Sequence, residues 1–339
     1  MREGNQPITK QRIGYIDSMR GLMMILVVSV HVAWSSGCNT FPYFAFLGLF
    51  RLPLFFFISG FIFYKKEQVW NFSNCIKFLS NKFLVQIIPT AIFLSLFMLI
   101  FSISTINAKY NGFWFTIALF EYFFVYVLFS LIIKKQIINN IVLLIIALIL
   151  YILSSDVSVY EKYPFIYNAI IWNFEFFIFF VAGTLTKQYF DKVKIIFNKD
   201  IIMTIIIISM FIGGCLLLKK YVFKLELKLA TSMLGLFSIF YFFMKNSNYI
   251  DNSRIGRVLQ YIGRRTLDIY LLHIFFITNS ISWVKDNGIN SPTIIFIISI
   301  ATSLVITWIC LLISNILRTN PILGKILFGA KTPIKTTND

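Results

Sequence analysis

Three ionisable side chains share one face of the first apolar segment of this sequence. Asp17, Arg20 and His31 fall in the stretch YIDSMRGLMMILVVSVH. At ~100° per residue, the eleven positions from Arg20 to His31 end within ~20° of three full helical turns and cover ~16 Å. Asp17 lies on the same side, since its fourteen positions to His31 are ~40° short of four turns. A helix here presents an acid and a cation near its start and an imidazole farther along.

The histidine has two interpretations. An unperturbed imidazole has a pKa near ~6.5, so His31 could take a proton from a hydroxyl group and return it, as a general base does. Glu121, expected at a similar depth from another apolar segment, is the candidate carboxylate that would orient the ring. Alternatively, Asp17 and Arg20 pair at the membrane surface, and His31 makes an interhelical hydrogen bond that contributes ~0.6 kcal/mol.

The composition places these segments in a lipid bilayer. Of the 339 residues, 58% are hydrophobic and 13% are charged, whereas soluble domains have roughly 45–50% and about 25%. A helix needs about 20 apolar residues to cross the hydrocarbon layer. We therefore expect an all-α integral membrane protein with one domain over residues 1–339 and no fused extracytoplasmic domain. Ten spans are predicted, at residues 14–35, 42–64, 83–104, 113–133, 137–153, 165–188, 200–218, 228–244, 266–284 and 293–317.

The distribution of Lys and Arg predicts the orientation. With the N-terminus inside, 23 of the 31 Lys and Arg residues fall in cytoplasmic segments and seven in outer loops, which favours cytoplasmic placement of both termini. The net charge of +17 is divided among the loops, so it indicates topology and no nucleic-acid partner is expected. The four cysteines are widely spaced, and no metal site is predicted.

Ionisable residues within the spans require a reason, because one at mid-membrane costs between ~2.5 and ~17 kcal/mol. Eight are present: Asp17, Arg20, His31, Arg51, Glu121, Glu175, Asp268 and His273. A purely structural membrane protein does not account for them. A polysaccharide flippase or polymerase is the alternative to an enzyme, although such transporters tend to show paired halves with broken helices at matching positions, and the sequence shows no such symmetry.

Four stretches together resemble the acyltransferase-3 family of membrane acyltransferases, and within it the fucose 4-O-acetylase-like proteins. They are RIGYIDSMRGLMMILVVSVH, RLPLFFFISGFIFYKKE, FWFTIALFEYFF and IGRRTLDIYLLHIFF, in this order along the chain. The first contains Arg20 and His31 at the family's spacing of a basic residue, ten residues and a histidine. Asp17 matches the acid that precedes them.

The resemblance implies a ten-helix bundle that transfers an acyl group, usually acetyl, from cytoplasmic acyl-CoA to a hydroxyl of a glycan or lipid-linked sugar. His31 is then the essential base, and Arg20 is part of the donor site. Arg264 and Arg265 would meet the CoA phosphates, which suit guanidinium groups, or they would only anchor the helix end. His273 matches a histidine common in the family and would contact the donor or have a structural role.

The resemblance also implies partners and a location. Acyl-CoA is a donor substrate, and no permanently bound cofactor is expected. The sequence predicts a multi-pass protein of a bacterial inner or plasma membrane, which acts on its acceptor directly or through a separate extracytoplasmic transferase. Arg51 stands where many close relatives have a histidine, and it would bind a substrate anion or pair with Glu121 or Glu175. Trp34 and Trp114 would stack on a sugar, or they belong to an interfacial aromatic belt.

Overall fold

The computed structural model describes residues 12–38, 42–102, 112–155, 157–164, 167, 171–218, 225–278 and 280–329, and these residues form helices and connecting turns without a β-strand. A π-helix at Phe83–Ile87 joins two α-helices, and a 3-10 helix lies at Trp172–Phe174. The α-helices are α1 Gly14–Ser35, α2 Pro42–Gly48, α3 Arg51–Phe63, α4 Phe72–Lys82, α5 Ile88–Phe101, α6 Trp114–Ile132, α7 Gln136–Ser154, α8 Val157–Lys162, α9 Phe177–Gln188, α10 Phe190–Phe197, α11 Asp200–Leu218, α12 Leu225–Lys245, α13 Ser247–Asn252, α14 Arg254–Arg264, α15 Thr266–Leu272, α16 Ile274–Ile277, α17 Ser282–Asp286, α18 Pro292–Thr319 and α19 Pro321–Phe328.

Eight helices among the described residues are long and apolar enough to cross a membrane, and one bent pair could supply a ninth. The eight are Gly14–Ser35, Tyr43–Phe63, Phe72–Phe101, Trp114–Ile132, Gln136–Ser154, Asp200–Leu217, Leu225–Lys245 and Pro292–Thr319. Each overlaps a predicted span. The all-helical membrane fold is therefore confirmed, while the predicted total of ten spans and the position of the termini stay predictions.

Two predicted spans, the sixth and the ninth, are not among the eight candidate membrane helices. Over 165–188, regular α-helix is confined to Phe177–Gln188, and part of the predicted start lies outside the described residues. Over 266–284, Thr266–Leu272 and Ile274–Val284 meet at an angle of 46°. His273 occupies the break. Irregular backbone at membrane depth is tolerated where it is buried in protein or lines a cavity, so both breaks mark segments near the interior.

Glycines bring α3 and α9 into backbone contact. A Cβ atom on Gly60 would overlap the carbonyl oxygen of Phe180, and one on Gly183 would overlap that of Phe57. Only hydrogen fits at both positions, which is the small-residue packing typical of membrane helices. Ser59, beside Gly60, donates its hydroxyl hydrogen bond to the carbonyl oxygen of Phe55 at 2.8 Å in its own helix. Gly60 of the FFFISG stretch therefore serves helix packing, and the hydroxyl of Ser59 is satisfied within its own helix.

The first helix lies at the centre of the bundle. In α1, 72% of the most apolar 18-residue stretch is buried inside the protein, the largest share among the eight candidate spans. It packs mainly against α14 and α18 and also contacts α3. Gly21 and Gly263 allow the close approach of α14, since a Cβ on either would overlap a backbone carbonyl of the other helix. A helix in this position can expose a polar face only to the interior of the protein.

Candidate active site

One face of α1 lines an internal cavity of about 430 Å³. Arg20, Met24, Val27, His31 and Trp34 contribute to its wall. Their spacings of four and three residues keep them on one side of the helix, and the row from first to last extends ~21 Å. The shared face predicted from the sequence is therefore the wall of a cavity. Its two ends are called here the Arg20 end and the Trp34 end.

Several cations surround the Arg20 end. Arg20 donates a hydrogen bond from Nη2 to Oγ1 of Thr266 at 2.6 Å, and its Nη1 lies 3.9 Å from a carboxylate oxygen of Asp17. Lys82 is close enough to Arg20 and Lys65 to interact with both electrostatically. These positive groups outnumber the one acid among them. The Arg20 end is suited to a polyanionic ligand.

The two predicted donor arginines lie at the junction of α14 and α15 and are not among the residues of the cavity wall. Arg264 interacts electrostatically with Asp17. Arg265 lies 3.4 Å from Asp268, which also pairs with Arg318 at 2.8 Å. The next two residues along the chain, Thr266 and Leu267, do contribute to the cavity wall. The two arginines thus lie just outside the cavity, next in sequence to residues of its wall at the Arg20 end.

His31 lies next to the only other histidine of the sequence. The ring centroids of His31 and His273 are 5.3 Å apart, with the rings in an edge-to-face arrangement, and the Trp34 ring is 5.8 Å from His31. His31 lines the cavity, whereas His273 is fully buried behind it. The bend between α15 and α16 places His273 there.

Backbone hydrogen bonds define the tautomer of His273. Its Nδ1 is 2.8 Å from the carbonyl oxygen of Tyr270 and 3.1 Å from that of Ile269. Because a carbonyl oxygen only accepts, Nδ1 must carry the hydrogen in this arrangement. Nε2 of the neutral ring is then an acceptor, and no described residue donates to it. Such fixation of one imidazole nitrogen determines what the other can do.

The predicted carboxylate partner of His31 lies elsewhere. Oε1 of Glu121 accepts a hydrogen bond from Nδ2 of Asn173 at 3.3 Å, and Glu121 is not part of the cavity wall. Asp17 is fourteen residues from His31 along one helix, or ~21 Å, so it contacts Arg20 and not the imidazole. The group that the structure places against His31 is His273.

The Trp34 end combines aromatic rings with a buried cation. Trp34, Trp114 and Trp172 all contribute to its wall. Arg51, at the start of α3, is 4% exposed, and its guanidinium carbon lies 5.7 Å from the centre of the Trp34 ring. No described residue accepts a hydrogen bond from Nε or Nη1 of Arg51.

The acid at the Trp34 end has its own partner. Glu175, which lines the cavity, forms an ion pair with Lys228 at 2.9 Å. Arg51, for which Glu175 is one of two expected carboxylate partners, forms no ion pair with any acid among the described residues.

Two polar residues of the site did not emerge from the sequence. Gln86 lines the cavity from the π-helix Phe83–Ile87, and Oε1 of Gln86 is buried without a donor among the described residues. Lys82 immediately precedes that turn. Gln86 interrupts the apolar run FLVQIIPTAIF, and Lys82 comes directly before it. A polar residue within or beside an apolar run is the sequence signal that could have identified them. π-turns within α-helices are frequent at functional sites.

The comparison with known proteins identifies the family. The chain has no significant match among curated proteins or among solved structures. The acyltransferase-3 family model, described as an acyltransferase domain, matches residues 13–312. This range includes the cavity-lining helices and both histidines, and it covers most of the chain. The protein is a multi-pass membrane protein that belongs to the acyltransferase-3 family.

Proposed function

We propose that the protein is an acyl-CoA-dependent membrane O-acyltransferase that esterifies a hydroxyl group of a sugar. Family membership supports acyl transfer over the transport alternative. The observation that carries the proposal is the arrangement along α1, where cations at one end of a cavity and His31 near the other are ~16 Å apart. Coenzyme A has its phosphates and its thioester at opposite ends of an extended pantetheine arm.

The Arg20 end would hold the CoA phosphates. Arg20 lines the cavity, Lys82 lies near it, and Arg264 stands at the approach. Guanidinium and ammonium groups form charge-assisted hydrogen bonds with phosphate oxygens. The pantetheine arm would then follow α1 past Met24 and Val27. The side-chain carbonyl of Gln86 is available to an amide N–H of that arm.

His31 would act as the general base. It removes the proton from the acceptor hydroxyl, and the oxygen forms a bond to the thioester carbonyl carbon. The tetrahedral intermediate then expels the CoA sulfur, which takes the proton back from the imidazolium, giving an ester and free CoA. Proton transfer by a positioned side chain contributes ~10²–10⁴-fold to a rate.

His273 would position His31. Its Nε2 can only accept a hydrogen bond while Nδ1–H is held by the carbonyls of Ile269 and Tyr270. A ring N–H of His31 turned toward Nε2 would direct the other nitrogen of His31, with its lone pair, into the cavity. In this proposal His273 takes the orienting role first expected of Glu121, in place of a contact with the donor.

Finer features follow from the sequence resemblance. We infer an acetyl group and a sugar acceptor from the fucose 4-O-acetylase-like pattern, and a cavity of about 430 Å³ favours a short acyl chain. We place the Arg20 end at the cytoplasmic face of a bacterial inner or plasma membrane, because most Lys and Arg residues are predicted there. Transfer would reach an exported or cell-surface glycan, directly or through a separate extracytoplasmic transferase.

The proposal is tested with membranes that contain wild type or His31→Ala and with radiolabelled acetyl-CoA. We expect the variant to lose at least about 100-fold in transfer of label to a carbohydrate fraction. Equal protein amounts, an unchanged gel-filtration profile and unchanged acetyl-CoA binding show that the variant is folded. Wild-type activity in His31→Ala, with these controls satisfied, would refute the mechanism.

A further inference from the structure

Arg51 is buried, and it differs from the partly buried arginines Arg20 and Arg318, each of which has a polar partner. Arg318 is bidentate to Asp268 at 2.8 Å, and Arg20 hydrogen-bonds to Thr266. The guanidinium of Arg51 has Trp34 as its neighbour, and no described residue accepts from Nε or Nη1. The side chain nevertheless is 4% exposed and lines the cavity.

A buried charge without a counterion is unfavourable, because the loss of hydration is not offset by pairing. No described acid remedies this, because none forms an ion pair with Arg51, and Glu175, which lines the same cavity, pairs with Lys228. The imidazole of His31 lies in the same region, and it supplies no negative charge. An anion that enters the cavity would therefore gain an unusually strong partner in Arg51. This points to a ligand group, not to a packing role.

The position of Arg51 indicates which substrate carries that anion. Trp34, over which Arg51 lies, is one helical turn beyond His31 on α1, away from Arg20. A donor that binds with its phosphates at the Arg20 end brings its thioester to His31 and extends no farther. The space beyond His31 then belongs to the acceptor. Trp34, Trp114 and Trp172 line it, and aromatic rings offer flat apolar surfaces to the C–H faces of a sugar.

We propose that Arg51 binds a carboxylate of the acceptor, so that the acceptor is an acidic sugar such as a uronic acid residue. The placement of the acceptor beyond His31 rests on the proposed function. A guanidinium presents its donors in a planar fork that matches a carboxylate, whereas an ammonium group acts as a compact point charge. Arg51 therefore determines specificity, and His31 performs proton transfer.

The first experiment measures binding and needs no turnover. Full-length protein in nanodiscs is titrated with the methyl glycosides of glucose, galactose and mannose and with their uronic acid counterparts, and binding is followed by tryptophan fluorescence. We expect at least one uronic acid to bind about tenfold or more tightly than its neutral counterpart in wild type. Arg51→Met should reduce this preference to about one while binding the neutral sugar as before. Arg51→Lys should retain only part of it.

Arg254→Met provides the matched control, because Arg254 is an exposed cation on α14 outside the cavity wall. It should keep the full preference. No acid preference in wild type, or an unchanged preference in Arg51→Met, overturns the proposal. Equal loss of both sugars in Arg51→Met also overturns it, since that result assigns a structural role. Tighter binding of methyl glucoside 6-phosphate than of all three uronic acids overturns the carboxylate assignment.

The second experiment separates this inference from the proposed function. Acetyl transfer from labelled acetyl-CoA to the preferred pair of sugars is measured as kcat/KM for wild type and Arg51→Met. We expect the variant to lose about tenfold or more with the acidic sugar alone. An equal fall with the neutral sugar would instead show that Arg51 stabilises the oxyanion, and it contradicts the proposal. Arg51-dependent acid binding without any acetyl transfer refutes the acyltransferase function and leaves the binding site established.

Discussion

At the scale of single residues, the contact between His31 and His273 joins two helices that are far apart in the sequence. His31 comes from the face of α1 and His273 from the break after α15, with 5.3 Å between the ring centroids. Backbone carbonyls hold Nδ1 of His273. Because this fixes the ring, it also fixes the direction from which Nε2 can accept a hydrogen bond. The pair is therefore expected to function as a unit.

Replacement of His273 tests that expectation. We expect His273→Ala to lower kcat about 10–100-fold, as loss of an orienting partner does for ligands of metals, with little change in the KM for acetyl-CoA. His273→Gln, whose side-chain carbonyl can accept a hydrogen bond, should recover part of the loss. Steady-state kinetics on purified protein measures both constants. A large rise in KM with kcat preserved would instead support the direct donor contact expected from the sequence.

Arg20 is expected to act on donor binding. A hydrogen bond to a charged group contributes ~1.5–3 kcal/mol, so Arg20→Ala should raise the KM for acetyl-CoA about 10–100-fold and change kcat less. Added salt should weaken donor binding more in wild type than in the variant. Wild type has one more cation whose attraction to the CoA phosphates can be screened by salt. Arg254→Ala, at an exposed site on α14, is the control. An effect of Arg20→Ala on kcat alone would contradict the assignment.

The sequence located the residues of the site better than it located their partners. Periodicity within α1 is a local property, so the common face of Arg20 and His31 follows from helix geometry alone. Which side chain from another helix meets His31 depends on helix packing, which apolar composition does not encode. Glu121 was expected and His273 is observed for this reason. Gln86 was missed because one amide in a long apolar run carries no periodic signal.

At the scale of elements, the contact between α3 and α9 depends on two glycines. We expect Gly60→Val and Gly183→Val to destabilise the protein by at least ~1–3 kcal/mol, the usual cost of overpacking, since each added side chain would meet backbone that cannot move aside. Gly48→Ala is the control, because a Cβ there meets nothing within 4 Å. Thermal unfolding in detergent measures the difference. Equal stability of the three variants would show that α3 and α9 do not pack closely.

Hydropathy predicted the straight spans and could not predict the breaks. The first, fourth and tenth spans agree with Gly14–Ser35, Trp114–Ile132 and Pro292–Thr319 within two residues. Over 165–188 and 266–284 the sequence also contains long apolar runs, yet the chain bends or loses its regular helix. Apolarity reports burial in lipid or protein, and it does not distinguish a continuous helix from a broken one that lines a cavity.

At the scale of the whole molecule, the basic connections bear on how the protein lies in the membrane. Nζ of Lys134, between α6 and α7, donates to the carbonyl oxygen of Trp70, which precedes α4. Lys82 and Lys65 lie near Arg20. Such a concentration of positive charge is typical of the cytoplasmic end. The orientation of the protein in the membrane itself stays a prediction from the distribution of its Lys and Arg residues.

Cysteine labelling tests that orientation. In a variant without native cysteines, we expect Lys66→Cys and Lys135→Cys to react with a membrane-impermeant maleimide only after the cells are permeabilised. Asp286→Cys, after the bent pair, should react in intact cells. All three positions are exposed, so accessibility does not depend on burial in the protein. The reverse pattern would place the Arg20 end outside and would exclude a cytoplasmic donor.

The cavity between Arg20 and Trp34 on α1 has a consequence for how the reaction would be directed in space. Because Arg20 lies at one end of the cavity and three tryptophans line the other, the pantetheine arm of the coenzyme would enter the cavity while its nucleotide stayed at the Arg20 end. The acetyl group would cross most of the hydrocarbon layer while still bound to the coenzyme through its thioester. No alternating-access movement of a transporter would be needed. The chemistry would then be vectorial: a thioester is consumed on one side and an ester is made on the other.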